Sequence, residues 1–83
     1  MKQITKREMY GLIVTELLDN ASKGRSFINL NGVTLHYSSY NFTPIDDVDF
    51  SFGFTFNSEY VGSFRSYELD YFAMNGIKYE IVG

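Results

Sequence analysis

The stretch Val48-Asp49-Phe50-Ser51-Phe52-Gly53-Phe54-Thr55-Phe56 alternates apolar side chains with small or acidic ones at every step. Because successive side chains of a β-strand point to opposite faces, this alternation predicts a strand with a ladder of phenylalanines on one face. The opposite face carries only small or acidic groups. A strand with one strongly apolar face needs cover, so we expect it to lie centrally in a sheet with its phenylalanines beneath a helix.

The covering helix is predicted over residues 5–23. Thr5 and Glu8 have the spacing of a capping box, in which each side chain accepts a hydrogen bond from the other residue's backbone amide. Apolar side chains then recur at helical spacing, and Gly24 suits the left-handed residue that follows the end of a helix. The sequence therefore predicts one N-terminal helix with a defined start and end.

Two Asn-Gly pairs, Asn31-Gly32 and Asn75-Gly76, each separate two short runs that are typical of strands. Asn-Gly favours the type I′ turn of two-residue hairpins, and such a loop also sets the register of the two strands. The whole chain is thus predicted to be a single α+β domain over residues 1–83. In it, one N-terminal helix packs on a twisted antiparallel sheet of four to five strands, at about residues 26–82.

Composition excludes several classes of protein. The chain has 83 residues, no cysteine and a formal charge of −3. Without cysteine it has neither a disulfide framework nor a cysteine-based zinc site. No apolar run approaches the roughly 20 residues that cross a bilayer, and residues 1–20 lack the ordered regions of a signal peptide. We therefore expect a soluble protein of a reducing compartment such as a cytoplasm, without a membrane partner.

No catalytic machinery is visible in the sequence. The single histidine, His36, has no cysteine partner and no assured carboxylate neighbour to orient it. The chain contains no nucleophile elbow, no phosphate-binding loop and no dinucleotide fingerprint. The acidic run Asp46-Asp47-Val48-Asp49 lacks the spacing of a calcium loop. We therefore expect no enzymatic activity, no metal and no cofactor.

Charge and aromatic content instead indicate binding. Residues 1–25 carry five basic and three acidic side chains, whereas residues 26–83 carry two basic and seven acidic ones. An acidic surface attracts basic partners, and fifteen aromatic residues exceed what a small core readily holds, so some are expected at the surface. Tyr40 and Phe42 are expected on a loop, where recognition residues often lie. The residues expected to contact a protein partner are Tyr40, Phe42, Asp46, Asp47, Asp49, Glu59, Tyr60, Glu68 and Asp70.

In size, acidity and helix-plus-sheet organisation, the whole chain resembles in general character the small inhibitors that phages and mobile elements deploy against host defence, including anti-CRISPR proteins. The resemblance implies a non-enzymatic inhibitor inside the bacterial cell. Such an inhibitor would block a nucleic-acid-guided nuclease or its DNA-binding step. On this hypothesis carboxylates stand in for phosphates in a basic groove, and the partner is a basic nucleic-acid-processing protein.

Alternatives stay open at the level of sequence. Strand aromatics together with the basic helix end could form a nucleic-acid-binding module, although the acid-rich sheet has the wrong sign for phosphate. Self-association through the sheet face that carries Phe27 and Tyr71, or through an edge strand, would give a homodimer or a structural accessory subunit. The acidic run at residues 46–49 is also open to a purely local interpretation, as a turn or cap.

Overall fold

The computed structural model describes residues 1–83 and confirms the α+β class with one long N-terminal helix. The elements, in chain order, are β1 (Lys2–Ile4), α1 (Lys6–Lys23), β2 (Phe27–Leu30), β3 (Val33–His36), β4 (Ser39–Pro44), β5 (Phe50–Phe56), β6 (Glu59–Arg65), β7 (Tyr71–Met74) and β8 (Ile77–Ile81). A short 3₁₀ helix, Ser66–Glu68, lies between β6 and β7.

The eight strands form two sheets, where the sequence predicts one sheet of four to five strands. The larger sheet has the order β1-β8-β7-β2-β3, and the smaller one has the order β4-β5-β6. All neighbouring strands are antiparallel except β1 and β8, which pair in parallel. The phenylalanine strand β5 is central in the smaller sheet, as its alternation predicts.

Strand β4 corrects the expectation that Tyr40 and Phe42 lie on a loop. The segment Ser39–Pro44 pairs with β5 along its whole length. It alternates polar and aromatic side chains, but it ends in proline, which weakens its signal as a strand. Proline is tolerated at an edge strand, where its missing N–H would have faced solvent, and β4 is such an edge.

The ends of α1 and the predicted turns are confirmed. Thr5 Oγ1 accepts the Glu8 N–H at 3.1 Å, and Glu8 Oε1 accepts the Thr5 N–H at 3.0 Å, which completes the capping box. Gly24 follows the helix with a φ of 69°. Both Asn-Gly pairs have positive φ at each residue, and the registers of the two hairpins are those that the turns predict.

One hydrophobic cluster of 13 buried residues joins α1 to both sheets. Phe50, Phe52 and Phe54 belong to this cluster, whereas Phe56 at the end of the ladder is 44% exposed. The two sheets meet where β3 lies beside β6, and a Cβ at Gly62 would stand only 3.0 Å from Leu35 Cδ2. The edge of the smaller sheet at β6 is therefore covered, while its other edge, β4, is open.

Candidate functional site

The backbone of β4 offers unpaired hydrogen-bonding groups along its open edge. Phe50 N–H donates to Ser66 Oγ at 2.9 Å, on the β6 side of β5, so Phe50 exchanges no backbone hydrogen bonds with its register partner Pro44. Hydrogen-bonded and non-hydrogen-bonded pairs alternate along antiparallel strands. The N–H and C=O groups of Tyr40 and Phe42 consequently point away from β5, and Pro44, which has no N–H, occupies the next outward position.

The side chains of Tyr40 and Phe42 lie on the inner face of the smaller sheet and yet remain half exposed. Their register partners, Phe54 and Phe52, are buried, and directly opposed residues of two strands share a face. Tyr40 is 45% exposed and Phe42 is 43% exposed because no element packs beyond this edge. Tyr10 of α1 contacts Phe42, with ring centroids 5.2 Å apart. The junction of α1 and β4 therefore exposes a strip of aromatic rings.

A groove of about 420 Å³ opens between the start of α1 and the end of β4, and we name it the α1–β4 groove. Its helix side is formed by Lys6, Arg7 and Tyr10. Its strand and loop side is formed by Phe42, Pro44, Asp46, Asp47, Val48, Asp49 and Phe50. A second cavity of about 380 Å³ lies further along the same junction, beside Tyr40. A ring-lined floor with charged groups at the rim is typical of recognition sites.

The carboxylate of Asp49 is committed to the fold. Its Oδ1 accepts hydrogen bonds from Lys6 Nζ at 2.7 Å and from Ser66 Oγ at 2.9 Å, and the side chains of Lys6 and Asp49 are both largely buried. This network ties the start of α1 to β5 and to the 3₁₀ helix. The cation comes from the basic N-terminal segment, so one of the carboxylates predicted to face a partner is neutralised within the chain.

Asp46 organises the loop between β4 and β5. Its Oδ1 accepts the N–H groups of Val48 at 2.8 Å and of Asp49 at 2.7 Å. These two backbone hydrogen bonds favour the ionised carboxylate and hold the pKa of Asp46 below its usual range. The local interpretation of the acidic run, as a turn or cap, therefore fits Asp46. It does not fit Asp49, whose carboxylate is held by the distant residues Lys6 and Ser66. Asp46 and Asp47 are nevertheless exposed, and neither takes part in an ion pair.

The lowered pKa of Asp46 makes the loop sensitive to acid. A carboxylate whose pKa is lower in the folded chain stabilises the fold above about pH 4, and this contribution is lost as the pH falls through the lowered pKa. We expect an NMR titration of the Asp46 carboxyl carbon to give a midpoint below that of an unfolded aspartate, and Asp46→Ala to lower the free energy of unfolding at pH 7. Asp47→Asn, which removes an exposed neighbouring charge, is the control and leaves that free energy unchanged. A midpoint at or above the ordinary aspartate value would contradict the loop geometry.

Glu59 and Tyr60 do not join the α1–β4 groove. They begin β6, at the end of β5 opposite to Asp49, and a seven-residue strand spans about 20 Å. Tyr60 pairs with Thr55 and therefore lies on the outer face of the smaller sheet, away from the phenylalanine ladder. At 65%, the Tyr60 side chain is more exposed than those of Tyr40 and Phe42. The predicted aromatic residues are thus divided between the two faces of the sheet.

Glu68 and Asp70 also lie outside the groove lining. Glu68 Oε1 accepts a hydrogen bond from Arg65 Nη1 at 3.2 Å, and this contact holds the pKa of Arg65 above its usual value. Asp70 lies between the 3₁₀ helix and β7, and its side chain is exposed. Five of the nine predicted contact residues therefore surround the α1–β4 junction: Tyr40, Phe42, Asp46, Asp47 and Asp49.

Three residues of the groove are not among those predicted to contact a protein partner. Tyr10 belongs to the apolar stripe of the helix pattern, and Lys6 and Arg7 belong to its first turn. They reach the groove because the loop between β4 and β5 folds back against the start of α1. No sequence signal marks a contact between segments that lie more than thirty residues apart.

Comparison of the chain with protein-family models, with curated proteins and with solved structures gave no match. Nowhere in residues 1–83 do three or more histidine or carboxylate side chains come together in a way that could hold a metal ion. Neither helical segment has the length and apolarity that a transmembrane helix requires. The function proposed below therefore rests on the geometry of the α1–β4 groove.

Proposed function

We propose that this chain is a small non-enzymatic inhibitor that binds a protein partner through the α1–β4 groove. One observation carries the proposal: two half-exposed rings, Tyr40 and Phe42, lie at an open sheet edge that runs into two exposed carboxylates, Asp46 and Asp47, without cation partners. Aromatic anchors in pockets supply most of the binding energy at protein interfaces. Peripheral charges mainly set the rate of association and the choice of partner.

The proposed partner is a basic protein. Asp46, Asp47 and Asp49 against Lys6 and Arg7 leave a net charge of −1 at the groove, and the whole chain carries −3. A bacterial defence nuclease with a basic nucleic-acid site, the target class of anti-CRISPR proteins, is the first partner to test, with the bacterial cytoplasm as the compartment. Two exposed carboxylates without cation partners, beside aromatic rings, favour a compact contact with such a nuclease over imitation of a long phosphate track.

The nucleic-acid-binding alternative has less support because three of the five basic side chains of residues 1–25, Lys6, Lys23 and Arg25, are paired with carboxylates. Arg25 forms ion pairs with Asp19 and Glu16, and Lys23 forms a further pair with Asp19. Cations paired in this way are not free to neutralise phosphates, which dominate affinity for nucleic acids. A gel shift of naked DNA or RNA at submicromolar protein would nevertheless revive this alternative.

The test compares two exposed aromatic residues on opposite faces of the same sheet. A partner is captured from bacterial lysate on the immobilised chain, identified by mass spectrometry and purified, and its affinity for variants is then measured by calorimetry. We expect Phe42→Ser to weaken binding by about 30-fold, the effect of an interface hot spot. Tyr60→Ser, on the outer face, changes the affinity by less than about twofold, as expected outside an interface core.

Two further readouts complete this test. Binding of the purified partner weakens as salt rises, because its basic groups face Asp46 and Asp47. The free chain elutes as a species of about 10 kDa in size-exclusion chromatography, because the proposed partner is another protein. If Tyr60→Ser abolishes binding while Phe42→Ser binds like the parent chain, the contact surface lies on the other face of the sheet and the proposal is wrong.

A further inference from the structure

We propose that the partner segment binds as an added β-strand along the open edge of β4. We further propose that this segment is extended, apolar at alternate residues, and basic where it passes Asp46 and Asp47. The inference rests on the proposed function, since it names how the partner occupies the α1–β4 groove. It makes a prediction about backbone groups that a contact between side chains alone would not make.

The backbone geometry of β4 carries the first step. Tyr40 and Phe42 each present an N–H and a C=O group away from β5, and Pro44 presents a C=O group. All six residues of the strand are exposed. Main-chain hydrogen bonds to such an edge provide the affinity of strand addition, and pockets for alternate side chains provide its specificity. The open edge of β4 supplies the main-chain hydrogen-bonding groups, and the α1–β4 groove beside it supplies the pocket for side chains.

The composition of β4 carries the second step. Exposed edge strands are normally protected by charged side chains, by bulges or by a covering element. The residues Ser39–Pro44 include no charged side chain, and only the terminal Pro44 limits pairing. By contrast, β1 has three residues and carries Lys2, and β6 carries Glu59 and Arg65 and packs beside β3. Strand β4 is therefore the one long edge of this fold that lacks such protection.

Side-chain chemistry defines the occupant. Residues of an added strand that share the inner face with Tyr40 and Phe42 would lie over the α1–β4 groove, so they are apolar or aromatic. Beyond Pro44 the edge reaches Asp46 and Asp47, which lack cation partners in the chain and call for arginine or lysine. Residues 37–44 contain neither arginine nor lysine, so β4 of a second copy would not supply this charge. A segment of a different, basic protein fits better.

A defined peptide tests the inference on the full chain. The probe is acetyl-Arg-Arg-Val-Thr-Val-Thr-Val-Thr-amide, whose N-terminal arginines meet the acidic loop if the peptide pairs antiparallel to β4, the more stable arrangement. Amide hydrogen exchange is followed by NMR with and without saturating peptide. We expect exchange at the Tyr40 and Phe42 amides to slow by about tenfold or more. The Asn41 amide, which points towards β5, stays unchanged.

Matched controls separate backbone pairing from side-chain contact and from charge. Tyr40→Ala removes the ring, whereas Tyr40→Pro also removes the outward N–H without breaking the β4–β5 ladder. We expect Tyr40→Pro to bind the peptide about tenfold more weakly than Tyr40→Ala. The peptide with glutamates in place of its two arginines is expected to bind about tenfold more weakly than the probe. Thermal unfolding shows whether both variants fold, and if Tyr40→Pro does not fold, exchange in the parent chain decides.

Failure of this inference is distinguishable from failure of the proposed function. If the purified partner loses affinity with Phe42→Ser while the Tyr40 and Phe42 amides keep their fast exchange in the complex, strand addition is wrong and the protein-binding function stands. If Phe42→Ser has no effect on the partner, the proposed function fails as well. Protection of both amides in the free chain, together with a dimer in size-exclusion chromatography, would assign the edge to a second copy and overturn the inference.

Discussion

Replacement of Phe54 by alanine is expected to lower the free energy of unfolding by about 3–5 kcal/mol, the usual cost of deleting a buried phenylalanine. Phe54 is 0% exposed, and its ring contacts those of Tyr37 and Phe52, so neighbouring side chains cannot easily fill the space left behind. Natural domains of this kind are stable by about 5–15 kcal/mol in total. The variant is therefore expected to lie close to the limit of folding.

The control for Phe54→Ala is present on the same face of the same strand. Phe56 ends the ladder and is 44% exposed, so Phe56→Ala is expected to cost about 1 kcal/mol or less. Urea unfolding followed by circular dichroism measures both variants. Equal losses at the two positions would contradict the placement of the core over the middle of β5.

Asn20→Ala is the second large effect, at about 2–3 kcal/mol. Asn20 lies on the buried face of α1 and is 1% exposed. Its Nδ2 donates to the Phe27 carbonyl oxygen at 2.6 Å and to Tyr37 Oη at 3.0 Å. The side chain thus ties the last turn of the helix to the start of β2 and to the segment that leads into β4. Alanine would leave the buried Tyr37 hydroxyl and the partly buried Phe27 carbonyl oxygen without this donor.

An asparagine of intermediate burial with a similar contact is the matched control. Asn29 Nδ2 donates to Thr34 Oγ1 at 3.0 Å across the β2–β3 hairpin, and this hydrogen bond is exposed to solvent. Water can replace that hydrogen bond, so Asn29→Ala is expected to change the free energy of unfolding by about 0.5 kcal/mol or less. If the two alanine variants unfold at the same urea concentration, the buried asparagine does not hold the helix to the sheet as the structure indicates.

These variants also bear on the proposed function. Phe54 supports the half-exposed ring of Tyr40, with ring centroids 6.4 Å apart, and Asn20 holds the helix that forms one wall of the second cavity. If either variant bound the partner more weakly, the cause could be a lower stability of the fold or a lost contact with the partner, and the affinity alone would not distinguish them. Phe42→Ser and Tyr40→Pro act at exposed positions of β4 and separate the two effects.

Most of the secondary structure could be predicted from the sequence because its signals are local. The capping box at Thr5 and Glu8 sets the start of α1, and the Asn-Gly pairs set the turns and registers of two hairpins. These signals depend on residues that are close in the chain, so they can be recognised without knowledge of any tertiary contact. The division of the strands into two sheets depends on which edges meet in space. Pairing of β1 with β8 joins residues 2–4 to residues 79–81, and no short-range pattern encodes that contact.

At the candidate site, too, some properties follow from the local sequence and others depend on contacts between distant segments. By itself, the sequence identified an acidic and aromatic segment at residues 40–49, because residue type and spacing are local properties. The tertiary structure alone decided that Lys6 neutralises Asp49, that Tyr60 lies on the opposite face from Phe42, and that β4 is an open edge beside a groove. Charge pairing, face and edge are relations between distant segments, and only the folded chain brings those segments together.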